Sequence, residues 1–243
     1  MQPSEAAVVT GASSGIGEAC ARQLLEKGLT VVALQRSAPR LQHPNLHFRQ
    51  IDLADLAAVK TLAQKIVAEF PVRYLLNNAG ANRPALLEDA TIEDMQYVTA
   101  ITLGAAMVLT QAFVPNMRAA KFGRIVNISS RAILGKTSRT VYASAKAGLI
   151  GMTRTIACEV GGDGITVNAV VPGPVASDLF NRGHPEGSAK RQTVIDGILV
   201  KRVGTPDDIA RAVLFFMDRD AGYVTGQALF VCGGTSVTGT GGA

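Results

Sequence analysis

Short apolar runs alternate with longer segments of helical pattern along most of the chain, and this alternation is the strongest constraint on its fold. Ala6–Thr10, Gly123–Ile128 and residues 164–171 are typical of buried strands, whereas residues 55–70 and 141–160 have the pattern of helices. Buried strands that alternate with helices form parallel sheets covered on both faces. The sequence therefore predicts an α/β fold, a doubly wound, Rossmann-like parallel sheet in three α/β/α layers.

The composition is that of one folded unit. The 243 residues are 47% hydrophobic and 18% charged, and no change of composition divides them, so we expect a single domain over residues 1–243. Residues 177–198 mix glycines, a proline and basic residues, and we expect them to form a substrate lid. In that lid, Leu179, Phe180 and His184 are expected to face the substrate. Residues 235–243, rich in Gly and Thr, are expected to form a flexible tail.

The composition also limits the partners and the compartment. Aromatic residues are 5% of the chain, and the net charge of +5 contains no dense basic run, so nucleic acid is not an expected partner. Cys20, Cys158 and Cys232 match no metal or disulfide spacing, which favours reduced thiols in a cytoplasmic protein. We find neither a signal-peptide pattern nor a membrane-spanning apolar run. His43 and His47 lie in a loop that enters a strand, so no metal site is expected.

A glycine-rich turn, Gly-Ala-Ser-Ser-Gly-Ile-Gly, separates the first predicted strand from the first predicted helix. Glycine lets the backbone turn tightly and approach a ligand closely. The first turn of a helix presents unpaired N–H groups to a pyrophosphate. The turn is therefore predicted to bind a dinucleotide through Gly11, Ser13, Ser14, Gly15, Ile16 and Gly17.

Tyr142 and Lys146 are four residues apart in a segment of helical pattern. This spacing places both side chains on one face of a helix. An ammonium beside a phenol favours the phenolate, so Lys146 is expected to lower the pKa of Tyr142. The pair is a candidate for proton transfer.

The glycine spacing, G-x-x-x-G-x-G, resembles the first turn of the short-chain dehydrogenase/reductase family. Further motifs resemble that family in the same order: Asn-Asn-Ala-Gly at residues 77–80, Asn-Ile-Ser-Ser at 127–130, the Tyr142 and Lys146 pair, and Pro-Gly-Pro-Val-Ala-Ser at 172–177. The resemblance implies hydride transfer between a nicotinamide cofactor and a ketone or secondary alcohol. It also implies that Tyr142 is the acid or base and that Lys146 holds the nicotinamide ribose.

Two catalytic positions depart from the family pattern. The family's catalytic serine ends its motif, which favours Ser130, but the usual separation from the tyrosine is thirteen residues, which Ser129 meets. A one-residue deletion in the loop of residues 131–141 would reconcile the two, so we favour Ser130 and keep Ser129 as the alternative. Thr102 stands where the family often has an asparagine that holds a water near the lysine.

The resemblance places the choice of cofactor at the end of the second strand. Gln35 stands at the position where an acidic residue would bind the ribose hydroxyl of NAD, and Arg36 follows it. A neutral and then a basic residue favour NADP, with NAD as the less favoured alternative. Pro39 and Pro44 indicate that the connection up to residue 45 contains no helix. The further contacts implied for the cofactor are Asp52, Leu53, Asn78, Ala79, Gly80, Tyr142, Lys146, Pro172, Gly173, Val175 and Ser177.

Within the family, the chain most resembles the single-domain 3-oxoacyl-(acyl carrier protein) reductases. Lys121 would suit an acidic carrier, but Asp163 stands where a second basic residue is expected, so we favour a small free ketone or alcohol. A non-catalytic NADP-binding regulator is the alternative from another class. The family is usually tetrameric, and the small residues at 104–106 and 143–148 are expected to permit close packing between subunits.

Overall fold

The fold is a seven-stranded parallel sheet between two layers of helices. The computed structural model describes residues 5–238 apart from the side chain of Leu179, so the predicted tail beyond residue 238 lies outside the described residues. The strands are β1 Ala6–Thr10, β2 Thr30–Gln35, β3 Leu46–Gln50, β4 Val72–Asn77, β5 Gly123–Ile128, β6 Ile165–Pro172 and β7 Ala228–Val231. Their order is β3-β2-β1-β4-β5-β6-β7, and every pairing is parallel. The predicted doubly wound fold is confirmed.

The helices of the described part are α1 Gly15–Glu26, α2 Leu56–Glu69, α3 Ile92–Thr99, α4 Ala105–Ala119, α5 Thr140–Val160, α6 Asp178–Gly183, α7 Ala189–Asp196 and α8 Pro206–Met217. Alternate residues of β1 face the two layers. Ala7 and Val9 pack against α1 and α8, whereas Ala6 and Val8 pack against α2, α4 and α5. The sheet is therefore buried on both faces, which explains its continuous apolar strands.

The helical run from α3 to α4 includes a π-helical segment, Ala100–Gly104, and Pro115 lies inside α4 without ending it. By length and composition, residues 92–119 are apolar enough to cross a membrane. Leu109, Phe113 and Met117 of this run are fully buried in the core.

Some of the small residues that were expected at subunit contacts pack inside the subunit. Ala105 and Ala106 are each only 2% exposed. A Cβ on Gly148 would lie 2.9 Å from Cδ1 of Leu103 in the same chain. Ser144 and Ala147 in the second stretch are exposed, and the expected contacts between subunits stay a prediction.

Two connections matter for the site. Between β2 and β3 the chain contains no helix, as the prolines predicted. The stretch of residues 177–198, which we expected to form a lid, contains α6 and α7. The side chains of Ser177 and Ser188 accept hydrogen bonds from the first turns of these helices, which explains where each begins.

Candidate active site

The glycine turn after β1 is held by Asn78 at the end of β4. Gly11 and Gly15 have φ angles of +70° and +57°, which favour glycine. The Asn78 Nδ2 donates to the carbonyl oxygens of Thr10 and Gly11, at 3.0 Å each. A Cβ on Gly17 would lie 2.1 Å from the Gly11 carbonyl oxygen, so only glycine fits there. The turn is therefore a fixed cradle at the N-terminus of α1.

A groove of about 840 Å³ runs along the carboxyl ends of the strands. Of the predicted cofactor contacts, it is lined by Gly11, Ser13, Ser14, Gly15, Ile16, Gln35, Arg36, Asp52, Leu53, Asn78, Ala79, Gly80 and Ser177. This volume lies in the range of small-molecule sites. Residues far apart in the sequence thus meet where strand order reverses, which is the usual binding place in open α/β sheets.

Six predicted contacts lie outside the lining of this groove: Gly17, Tyr142, Lys146, Pro172, Gly173 and Val175. Gly17 packs under the turn, as described above. Pro172 ends β6, and the Gly173 N–H donates to the Val231 carbonyl at 3.0 Å. Val175 is buried and forms an isolated bridge with Gly204. The contacts of Gly173 and Val175 fix the loop that leads from β6 to Ser177.

The end of β2 forms the rim of the groove. The Gln35 side chain is buried, and its Nε2 donates to the Ser37 carbonyl at 3.0 Å, while its Oε1 has no partner in the described chain. Arg36 beside it is exposed. Further along the rim, Arg40 pairs with Asp178 of α6 at 3.0 Å. This ion pair joins the loop after β2 to the predicted lid.

Asp52 and Leu53 follow β3 on the same side of the groove. The Asp52 carboxylate accepts a hydrogen bond from the Ala54 N–H at 3.0 Å, and Leu53 is buried. These contacts hold the short turn that leads into α2. Both residues therefore present a fixed surface to the groove.

Lys146 lies buried at the inner end of the site. Its Nζ donates to the Ile128 carbonyl oxygen at 2.7 Å, and the residue is only 3% exposed. Burial lowers the pKa of the Lys146 ammonium from 10.5 to about 8. A Cβ on Gly80 would lie 3.0 Å from this Nζ, so the ammonium lies beside Gly80, which lines the groove.

Tyr142 and Ser130 meet through their hydroxyl groups, which are hydrogen-bonded to each other. Burial raises the pKa of Tyr142, while the hydrogen bond from Ser130 and the charge of Arg139 counter part of that rise. The Lys146 Nζ lies 5.9 Å from the centre of the Tyr142 ring. The expected lowering of the Tyr142 pKa by Lys146 was therefore wrong for this structure, because burial of the phenol dominates.

Ser129 lies on the other side of the strand end. Its hydroxyl donates to the Lys146 carbonyl oxygen at 2.7 Å, and the residue is 2% exposed. It is therefore directed into α5 and away from Tyr142.

Thr102 lies in the π-helical segment, where its hydroxyl is buried without a partner in the described chain. A Cβ on Gly80 would lie 3.7 Å from this hydroxyl oxygen. The Thr102 hydroxyl and the Lys146 ammonium therefore both lie beside the α-carbon of Gly80. Single π-helical turns inside α-helices are frequent at functional sites.

Sequence reasoning missed a chain of buried amides beneath the site. The Asn77 Nδ2 donates to the Asn127 Oδ1, and the Asn127 Nδ2 donates to the Thr153 hydroxyl, each at 2.8 Å. These bonds tie β4, β5 and α5 together. The available signal was that β4 and β5 each have an asparagine at or near their end. The two strands are neighbours, and Asn77 pairs in register with Asn127.

Comparisons with known proteins agree with this geometry. A family model described as Enoyl-(Acyl carrier protein) reductase matches residues 11–236. A (2S)-[(R)-hydroxy(phenyl)methyl]succinyl-CoA dehydrogenase subunit of Thauera aromatica is 37% identical over 241 residues, covering 95% of this chain and 96% of its own.

Two solved structures are similar over nearly their whole length. A short chain dehydrogenase/reductase family protein is 34% identical with a TM-score of 0.86, covering 98% of this chain and 100% of its own. A 3-oxoacyl (acyl-carrier-protein) reductase from Agrobacterium tumefaciens with NADP bound is 28% identical with a TM-score of 0.84, covering 94% and 93%. The likeness therefore extends over the whole fold.

Proposed function

The chain belongs to the short-chain dehydrogenase/reductase family and is an oxidoreductase, and we propose that it reduces a ketone to a secondary alcohol with NADPH. The hydrogen bond between Ser130 and Tyr142, with the Lys146 ammonium beside Gly80 of the groove lining, carries this proposal. The reverse oxidation uses the same groups in the opposite order. A non-catalytic regulator would not need this arrangement.

Each of the residues around Tyr142 would have its own role in ketone reduction. A nicotinamide cofactor, when bound, would supply the hydride that the carbonyl carbon accepts. Tyr142 donates its proton to the carbonyl oxygen, and the Ser130 hydroxyl donates a hydrogen bond to that oxygen. The raised pKa of Tyr142 keeps the phenol protonated at neutral pH, which is the form that ketone reduction requires. Lys146 presents its ammonium to the nicotinamide ribose, and Thr102 offers its unpartnered hydroxyl to a water near Lys146.

The groove fits a dinucleotide. The cradle around Gly11 leaves no room for a Cβ at Gly17, and a pyrophosphate would meet the N-terminus of α1. The unpartnered Gln35 oxygen would accept a bond from an adenosine ribose hydroxyl. Arg36, exposed on the rim, would pair with a 2′-phosphate, and no carboxylate stands at residue 35 to repel it. This supports NADP over NAD.

Titration with NADPH and NADH tests the choice of cofactor. We expect wild type to bind NADPH at least ~10-fold more tightly, the scale of one charge-assisted hydrogen bond. Arg36→Gln should weaken NADPH alone, and Gln35→Asp should favour NADH. Equal binding of the two cofactors by wild type would contradict the assignment of Arg36.

Tyr142→Phe tests the reaction itself. This variant should lose turnover of simple ketones by ~100-fold or more while binding NADPH as wild type does. A variant that retains its rate would remove Tyr142 from the mechanism. Loss of cofactor binding would assign Tyr142 a structural role instead.

A carrier-bound 3-oxoacyl group is the second candidate substrate. The Asp163 carboxylate, expected to repel an acidic carrier, is paired with Arg118 at 2.6 Å, which reduces that repulsion. The likeness to the 3-oxoacyl reductase of Agrobacterium tumefaciens favours the same substrate. NADPH oxidation with an acetoacetyl carrier protein and with free ketones separates the two candidates.

Residues 177–198 are proposed as a lid that closes over the substrate. The Phe180 and His184 rings stack at 4.4 Å, and the Arg191 side chain donates to Asn181 and to the His184 carbonyl, so α6 and α7 are joined. Joined helices would move as one body. Hydrogen exchange of this segment should slow when a ketone binds the NADP complex, and unchanged exchange would oppose the proposal.

The proposed assembly is a homotetramer in the cytoplasm. Met107 on α4, Phe215 on α8 and Leu229 on β7 are large apolar side chains exposed in the isolated chain. Burying them between subunits would remove them from water. Sedimentation that finds only monomers at micromolar concentration would contradict this assembly.

A further inference from the structure

Four arginines line the groove that the cofactor is proposed to occupy: Arg36, Arg40, Arg83 and Arg182. Arg40 pairs with Asp178 at 3.0 Å. Arg83 pairs with Asp94 at 3.7 Å. Within residues 5–238, no carboxylate forms an ion pair with the other two arginines. The groove therefore offers two guanidinium groups to an anion, and NADP carries phosphate at two places, the 2′-phosphate and the pyrophosphate.

The first turn of α6 lies beside the glycine turn. A Cβ on Gly15 would lie 3.7 Å from the Cβ of Ser177, and Ser177 caps the start of α6. The pair between Asp178 and Arg40 ties this end of α6 to the loop after β2. Ser177 and Asp178 line the same groove as Ser14 and Gly15. The start of α6 therefore adjoins the turn that is proposed to hold the pyrophosphate.

Arg182 lies one turn further along α6. It follows Asp178 by four residues, so both side chains lie on one face of the helix, and both line the groove. At ~1.5 Å of rise per residue, the two residues are ~6 Å apart along the helix axis. Side chains of an α-helix lean towards its N-terminus, which directs the long Arg182 side chain back towards the glycine turn. Because Arg40 balances the charge of Asp178, the charge that remains on this face is positive.

We propose that Arg182 binds the pyrophosphate of the cofactor, so that the lid contacts the cofactor as well as the substrate. This inference rests on the proposed function. The N-terminus of α1 would bind the pyrophosphate on one side, and the Arg182 guanidinium would donate hydrogen bonds to it from α6. Arg36 then serves the 2′-phosphate, and each of the two arginines has one phosphate site.

Titration of wild type and Arg182→Gln with NADPH and with NADH tests this contact. The pyrophosphate is common to both cofactors, so the variant should weaken both by the same factor. We expect at least ~5-fold, the effect of one exposed charge-assisted hydrogen bond. Arg36→Gln, in contrast, should weaken NADPH alone. Weakening of NADPH alone by Arg182→Gln would assign Arg182 to the 2′-phosphate and overturn the inference, as would unchanged binding of both cofactors.

ADP-ribose separates the pyrophosphate from the nicotinamide. This fragment keeps the pyrophosphate and lacks the nicotinamide ring, and calorimetry measures its binding. Arg182→Gln should weaken the binding of ADP-ribose by the same factor as that of NADH. Binding of ADP-ribose that the variant leaves unchanged would place Arg182 beside the nicotinamide or the substrate and would overturn the inference.

Lys190→Gln is the matched control. Lys190 is an exposed cation of the same lid, on α7, and it does not line the groove. Its replacement should leave all three affinities unchanged. An equal loss in both variants would show that the net charge of the lid matters and not a contact, which would overturn the inference. Arg182 is exposed, so Arg182→Gln should melt at the wild-type temperature, and Arg182→Lys should retain more affinity because it keeps the charge.

These binding measurements need no turnover. A wild type that binds the cofactors but reduces no ketone would refute the proposed reaction, and the affinities would still decide the role of Arg182. A wild type that reduces ketones, with affinities that Arg182→Gln does not change, would overturn this inference alone. A wild type that binds neither cofactor would overturn both.

Discussion

Replacing Lys146 with methionine should stabilise the fold while abolishing activity. The ammonium is buried, and desolvation lowers its pKa from 10.5 to about 8. The folded state therefore binds this proton less tightly than the unfolded state does. Methionine has a similar length, keeps the apolar contacts of the stem and carries no charge to bury.

The magnitude follows from the lowered pKa. A lowering from 10.5 to about 8 corresponds to roughly 3 kcal/mol of lost stability below the folded pKa. Methionine also removes the hydrogen bond to the Ile128 carbonyl, a loss of about 1 kcal/mol. We therefore expect Lys146→Met to be more stable than wild type by ~2 kcal/mol at pH 7.

The pH dependence gives the sharper test. Between the folded and unfolded pKa values the unfolded state holds more protons, so the stability of wild type rises as the pH rises from about 8 towards 10.5. The advantage of Lys146→Met should shrink from ~2 to ~1 kcal/mol between pH 7 and pH 9. Other titrating groups are common to both proteins and cancel in the difference.

Guanidinium-induced unfolding, followed by circular dichroism at one protein concentration without cofactor, measures this difference. Lys65→Met, at an exposed position on α2, is the matched control and should show no such pH dependence. A Lys146→Met protein that is less stable than wild type by the same amount at both pH values would refute the reasoning.

Three further predictions concern the same groove. Ser130→Ala should lower kcat by ~100-fold, whereas Ser129→Ala should mainly lower the free energy of unfolding by ~1 kcal/mol. Steady-state kinetics and denaturation measure these two effects, and the opposite pattern would exchange the roles of the two serines. Gly17→Ala should weaken NADPH binding by more than ~10-fold, because its Cβ would overlap the Gly11 carbonyl. Gly151→Ala is the control, because a Cβ on Gly151 would meet no atom within 4 Å. Asp178→Asn should speed NADPH release by roughly 2- to 5-fold in stopped flow, because it breaks the exposed pair with Arg40; an unchanged rate would show that this pair does not retain the cofactor.

The fold was predictable because its signals are local and repeated. The five central strands, β1, β2, β4, β5 and β6, are almost entirely buried and therefore have mostly apolar sequences. Thr205 and Asp208 form a capping box at the start of α8, and Pro206 lies in its first turn. The path of residues 177–198 was not predictable in this way. Its two short helices have few buried residues, and α7 has none, so no apolar periodicity predicts them.

In the site, the sequence indicated which residues belong together but not how their side chains interact. The spacing of Tyr142 and Lys146 placed both on one face of α5. Their pKa values, however, depend on burial, which the spacing of two residues in the sequence does not reveal. The expected lowering of the Tyr142 pKa was wrong for that reason. The amide chain through Asn127 was hidden for a similar reason, because neighbouring strands are distant in the sequence.

The choice between Ser129 and Ser130 shows what strand geometry adds. Neighbouring residues in extended chain point to opposite sides, so only one of two adjacent serines can face Tyr142. The Ser129 N–H donates to the Val170 carbonyl at 2.8 Å, which continues the pairing of β5 with β6. That pairing directs the Ser129 hydroxyl into α5 and the Ser130 hydroxyl to Tyr142. This geometry supports the proposed role of Ser130, and the one-residue deletion in the connecting loop stays a prediction.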